Sequence, residues 1–441
     1  MPPLLPRSLS ALLLLAALGA SAADAPPAPP RTAWIGATVF DGTGAPARPD
    51  AVVLTRGGRI EAVLPAAAFR PASDMAVVDL HGRFVIPGLV NTHVHLATSA
   101  RPEPARAYLQ REIYSGVTAV RDMAGDARLL AELQREAEFG EIASPDIFYA
   151  ALMAGPEFFV DPRTEQASRG RVAGQAPWLQ AVTADTDLRL AVARARGTGA
   201  SAIKIYADVA PALLAAVTRE AHAQGLRVWA HATVFPSRPS DAVDAGVDVV
   251  SHACMLGYEA NESLPQVVPH PTIPVDVARL AAHGDRVDAV LARMKARGTI
   301  LDATLLVYSI DDSGIDCSYA LAARLAGRAH AAGVEVSAGT DDEPGDVAGP
   351  WSGLLREIAL LHDDAGLSNA DVLRAATAVG ARAIGRERDM GTLEAGKLAN
   401  FVVLEKDPLA DIGALRSVSA TVKAGVAYPR DAYRPPGPAQ P

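Results

Sequence analysis

Short apolar runs recur through the middle of this chain, and each is followed within three positions by a residue able to bind a metal. The runs span 84–90, 202–203, 226–230, 247–250 and 334–338, and the residues that follow them are His93, His95, Lys204, His231, His252 and Asp341. Few folds place side chains that far apart in sequence on one face. Ligands at the carboxyl ends of successive parallel strands are the working arrangement of a (β/α)8 barrel.

The rhythm between positions 88 and 387 agrees, with apolar runs alternating with Ala-rich helical patterns that end at glycine. Eight strands are expected, at 88–91, 118–121, 146–150, 202–205, 227–230, 248–251, 299–303 and 334–339. Long connections at 152–182, 254–285, 304–318 and 342–352 would overhang the ligand face. Short strands at both ends (33–87 and 388–430) suggest a small β-sandwich assembled from the two terminal segments.

The remaining segments read differently. Arg7, the apolar run 11–18 and Ala20-Ser21-Ala22 form a signal peptide over 1–22, so an exported protein beginning near Ala23 is expected, periplasmic or secreted. A Pro-rich tether (23–32) follows, and a Pro-rich tail (431–441) closes the chain. The apolar run is too short for a membrane span, and no membrane anchoring is expected. A formal net charge of −9 argues against nucleic acid as partner and leaves a small-molecule substrate. Whether the chain forms a homo-oligomer is left open. The two cysteines, Cys254 and Cys317, both lie just past barrel strands; two free, largely buried thiols are expected, a bridge being the alternative.

His93 and His95 are two apart on a strand and so share a face, a natural pair for Zn2+. Lys204 stands inside the apolar Ala202-Ile203-Lys204-Ile205-Tyr206, in a chain that otherwise uses arginine for almost all its positive charge. A buried lysine must lose its proton or find a partner. A neutral amine can also add CO2, giving a carbamate able to bridge two metals. Singly, His231 and His252 could be core histidines and Asp341 a helix cap. No such account explains all six on one face. Tyr206 and Asp342 are near enough in sequence to line the pocket, and Arg163, Arg169 and Arg171 could supply a cationic patch above it. Asp122 is expected to order the barrel mouth. His81, His222, His270, His283, His330 and His362 have no assigned role.

The chain resembles the amidohydrolase superfamily in Ile86-Pro87-Gly88-Leu89 before the HxH, in Gly116 through Asp122, in Ala338-Gly339-Thr340-Asp341, and in Gly391 through Ala399. The spacing is most similar to the branch of imidazolonepropionase-like proteins and Xaa-Pro dipeptidases. Asn91 departs from the Asp common there, at a position that is not an expected ligand. The resemblance implies two divalent ions, Zn2+ being the expected metal. One would lie on His93, His95 and Asp341 and the other on His231 and His252, with carbamylated Lys204 bridging. It further implies a metal-bridging hydroxide that attacks a cyclic amide or dipeptide-type amide, with Asp341 shuttling the proton. A lactonase or phosphotriesterase at the same site, or a non-catalytic periplasmic binding protein, are the alternatives.

Overall fold

The computed structural model describes residues 30–267, 273–310 and 317–435. The expected signal segment, most of the expected tether, His270 and the end of the expected tail lie outside them.

Eight parallel strands form the barrel. In order they are Leu89–Val94, Val117–Asp122, Asp146–Ala154, Ala202–Ile205, Arg227–His231, Val249–Ser251, Ile300–Asp302 and Val336–Ser337. Each pairs with the next in sequence order. The circle closes where Thr92 N donates to Ala338 O (3.1 Å) and Asp341 N to His93 O (2.9 Å). Nearly every strand residue is buried on both faces, as expected for strands wrapped by helices. Helices such as Ala127–Glu138 supply the outer layer, capped at the N-terminus by the Asp126 side chain.

The apolar run 84–90 is not one strand. Phe84–Pro87 belongs to a separate sheet, and Leu89–Val94 opens the barrel. Gly88 is the joint: a β-carbon there would sit 2.8 Å or less from the Thr118 side chain. The separate sheet has eight strands, drawn from both termini. Phe401–Leu404 pairs antiparallel with Phe84–Pro87, zipping the C-terminal segment onto the N-terminal one. The far edge curls back, with Ile60 N donating to Lys397 O (2.9 Å), and Trp34 packs edge-on against Phe401 inside (5.1 Å between ring centroids). This is the expected small β-sandwich, except that its first strand (Arg31–Val39) already takes up the last two residues of the expected tether.

The long connections carry structure of their own. Within 152–182, the helix Pro162–Ala167 precedes Leu179–Ala181, which pairs with the end of strand three. Among the described residues, no helix is long and apolar enough to cross a membrane.

Candidate metal centre

Strand geometry delivers the ligand candidates. His93 and His95 flank Val94, the last residue of strand one, and their Nε2 atoms lie 3.1 and 3.0 Å from Asp341 Oδ1. Asp341 follows strand eight at φ 56°, a left-handed turn that brings its carboxylate back over the strand ends. His252 does the same after strand six. Ser251 already points to the barrel centre, and alternation would send the next side chain outward. At φ 74° His252 turns inward as well, its Nδ1 lying 3.7 Å from Asp341 Oδ2 and 3.0 Å from Thr304 Oγ1. His231, ending strand five, lies between Tyr206 (4.0 Å between centroids, rings tilted) and His252 (4.6 Å, edge to face).

Lys204 is fully buried, and its Nζ has no hydrogen-bond partner among the described residues. Burial, with the Arg121 guanidinium adding to it, brings the amine down to about 7, against the opposing pull of Asp341 and Asp302. Burial also depresses the two neighbouring imidazoles, His252 to about 3 and His231 well below its ordinary value. Both rings are thereby biased toward the neutral form, the one able to ligate a metal. Burial would raise the Asp341 carboxyl, but His93 and His95 hold it well below the usual range.

These residues fit a divalent metal. Donor atoms of His93, His95 and Asp341 lie within 4.8 Å of one another, an N/O set suited to Zn2+ and similar ions. The orphaned amine of Lys204 is the second observation in favour, since a buried amine without a partner is costly unless something else engages it.

The other candidates divide. Tyr206 lines a pocket beside His95, together with Thr98, Phe158, Arg163 and Glu343. Arg163 bonds both Asp161 (2.7 Å) and Tyr206, whereas Arg169 and Arg171 do not line this pocket. Asp342 is a correction. Instead of lining the pocket it is fully buried, its Oδ1 accepting from Tyr108 (2.6 Å) and Thr340 (2.5 Å). Asp122 ties down the barrel mouth by accepting from Leu96 N (2.6 Å) and Ala124 N (3.0 Å). His81, His222, His330 and His362 have local partners elsewhere. The expectation of free thiols also fails. Cys254 and Cys317 are bridged at a Cα separation of 5.9 Å, tying the segment after His252 to the loop after strand seven.

Sequence reasoning missed Asp302, which ends strand seven at the floor of the site. It pairs with Arg121 (2.9 Å) and with His93 Nδ1 (2.7 Å). Burial would raise its carboxyl, but Arg121 and His93 hold it well below the usual range. Gly339 gives it room, since a β-carbon there would lie 2.7 Å from His93 Cβ and closer still to Asp302. Gly339→Ala is therefore expected to cost about 2 kcal/mol, as overpacking does. Urea unfolding measures this, and an unchanged midpoint would show that the strands can yield.

Residues 84–427 match the amidohydrolase family. The imidazolonepropionase of Deinococcus radiodurans is 28% identical over 380 residues, covering 80% of this chain and 85% of the relative. That of Caulobacter vibrioides is 26% identical over 382 residues (82% and 89%). Among solved structures, a putative prolidase from Bifidobacterium longum superposes with a TM-score of 0.68 at 27% identity, covering 94% of this chain and 97% of that one. A Xaa-Pro dipeptidase with bound methionine shares the fold at a TM-score of 0.70 and 20% identity (90% and 100%). The chain thus belongs to the amidohydrolase family, metal-dependent hydrolases acting on carbon–nitrogen bonds.

Proposed function

We propose that this protein is an exported hydrolase that uses two divalent ions to cleave a small amide bearing a carboxylate. The observation that carries the reading is the buried Lys204 amine, without a hydrogen-bond partner among the described residues and near enough to Asp341, His231 and His252 to interact electrostatically with each. Four neutral or carboxylate-paired imidazoles and one acid would hold a single ion without it. A lysine makes sense there as a bridge. Its neutral nitrogen adds to CO2, an N–C bond forms, and the released proton passes to solvent, leaving a carbamate with two ligand oxygens.

His93, His95 and Asp341 would hold one ion, and His231 and His252 the other. When bound, the ions polarise the substrate carbonyl and lower the pKa of the attacking water. Asp341, held ionised, accepts the proton from that water and returns it to the departing nitrogen. Arg163 and the Tyr206 hydroxyl, at the wall of the pocket, face the substrate's carboxylate. Phe158, stacked on Tyr206 at 4.4 Å, keeps that wall apolar. The activities named for similar proteins, an imidazolonepropionase and a Xaa-Pro dipeptidase, are both compatible with this arrangement. Export rests on the N-terminal segment and is supported by the disulfide, which persists in an oxidising compartment.

The test is metal content per chain, together with turnover of Xaa-Pro dipeptides, cyclic amides, N-acyl amino acids and lactones by the mature protein. Two ions and turnover of one carboxylate-bearing amide class are expected. Turnover of lactones alone would overturn the amide reading, and a mature N-terminus other than near Ala23 would overturn the assigned cleavage. Lys204→Met is expected to lower the stoichiometry from two ions to one. Near neutral pH the unaltered protein should be heavier than its sequence by one CO2. Equal stoichiometry in the two proteins would remove lysine from the site.

A further inference from the structure

Asp302 has more partners than a core carboxylate needs. Thr92 Oγ1 donates to its Oδ1 at 2.7 Å, and its Oδ2 receives Arg121 Nη2 at 2.9 Å, Ser251 Oγ at 3.0 Å and His93 Nδ1 at 2.7 Å. These donors come from strands one, two and six, so a single side chain on strand seven is fixed from several directions. It cannot turn away from His93 without breaking the others.

The other edge of the same imidazole faces the metal centre, with His93 Nε2 lying 3.1 Å from Asp341 Oδ1. An imidazole that donates its Nδ1 proton to a carboxylate presents the Nε2 lone pair as its ligand atom, and the carboxylate makes that lone pair a stronger donor. We infer that Asp302 is the positioning residue of His93: anchored by Thr92, Ser251 and Arg121, it sets the ring's tautomer and orientation and thereby the affinity of the site for its ion. Arg121 serves that anchor in turn. Its guanidinium lies over the Trp229 ring, 4.6 Å from the centroid, and is fully buried.

The inference rests on His93 being a metal ligand, as proposed above, and the experiment separates the two. Zn2+ affinity of the metal-depleted full-length protein is measured by competition with a chromophoric chelator. The proteins compared are the unaltered chain, Asp302→Asn, His93→Ala and the double variant. An asparagine oxygen can take the place of the carboxylate but lacks its charge, so Asp302→Asn is expected to weaken binding by about tenfold or more. In the His93→Ala background the same change should have no further effect, because there is no ring left to position. An equal loss in both backgrounds, or none in the unaltered one, would assign Asp302 a purely architectural part and overturn the inference. If His93→Ala alone leaves affinity unchanged, the ligand reading fails first and takes the inference with it. Should Asp302→Asn not fold, Ser251→Ala and Thr92→Val loosen the same carboxylate, and the same cycle applies. A several-fold loss confined to the His93-containing protein supports the inference; an equal loss or none rejects it.

Discussion

Asp341→Asn is expected to reduce kcat on the responsive amide by about 10^3-fold while leaving the fold intact, in keeping with the loss of a general acid–base group. The expectation follows from where the carboxylate stands. Oδ1 lies 3.1 and 3.0 Å from the Nε2 atoms of His93 and His95, and Oδ2 lies 3.7 Å from His252 Nδ1. An asparagine would place a neutral amide among three imidazoles and could neither accept nor return a proton. It would also offer the ion one neutral oxygen in place of a carboxylate. Steady-state kinetics with metal content measured on the same sample separates these effects. If the variant holds its ions and keeps a kcat within tenfold of the original, Asp341 is not the proton carrier.

The second large effect concerns stability. Removing the bridge in Cys254→Ala/Cys317→Ala is expected to cost about 4 kcal/mol, because the cross-link closes a long loop and restricts the unfolded chain. The two cysteines are separated by 63 residues, and both are buried in the main core. The cost should register as a lower urea midpoint, and a reducing agent should produce the same shift in the unaltered protein. Hydrogen exchange should rise most in the helical segment Ala253–Ala260, which follows His252 and carries Cys254. Identical midpoints for bridged and unbridged protein would mean that the folded structure holds these segments together without the bond.

Much of the barrel was legible because its signals are local. The HxH works at a strand's period of two, and a lysine inside an apolar run is conspicuous in a chain so poor in lysine. Eight strands and a two-ended β-unit could be read from apolar runs and glycines. The boundary inside the run 84–90 was legible too, because Pro87-Gly88 punctuates it, and the chain passes from one sheet to the other at Gly88, where the backbone closely approaches Thr118. Asp302, in contrast, was invisible. Its partner Arg121 is 181 positions away, and only closure of the barrel brings them together. Asp342 was misread because adjacency to Asp341 suggested a shared direction, whereas the left-handed backbone at Asp341 sends the next side chain into the interior beside Tyr108. The left-handed His252 was equally unforeseeable, for no sequence rule places a histidine there.

The strand pairing of the small sheet has a consequence for the order of events during biosynthesis. The strand that carries His93 and leads into His95 is seated where Gly88 N donates to Asn400 O at 3.0 Å, and residues 401–404 pair with the segment immediately before it. Among the first parts of the barrel to be made, this strand is thus among the last to be secured. A nascent chain that still lacks its final forty or so residues has every histidine of the site but not the frame that holds two of them. If the chain is exported, as proposed above, and crosses unfolded, metal capture is thereby deferred to the far side of the membrane, where the ions on offer are those of the destination and not of the cytosol.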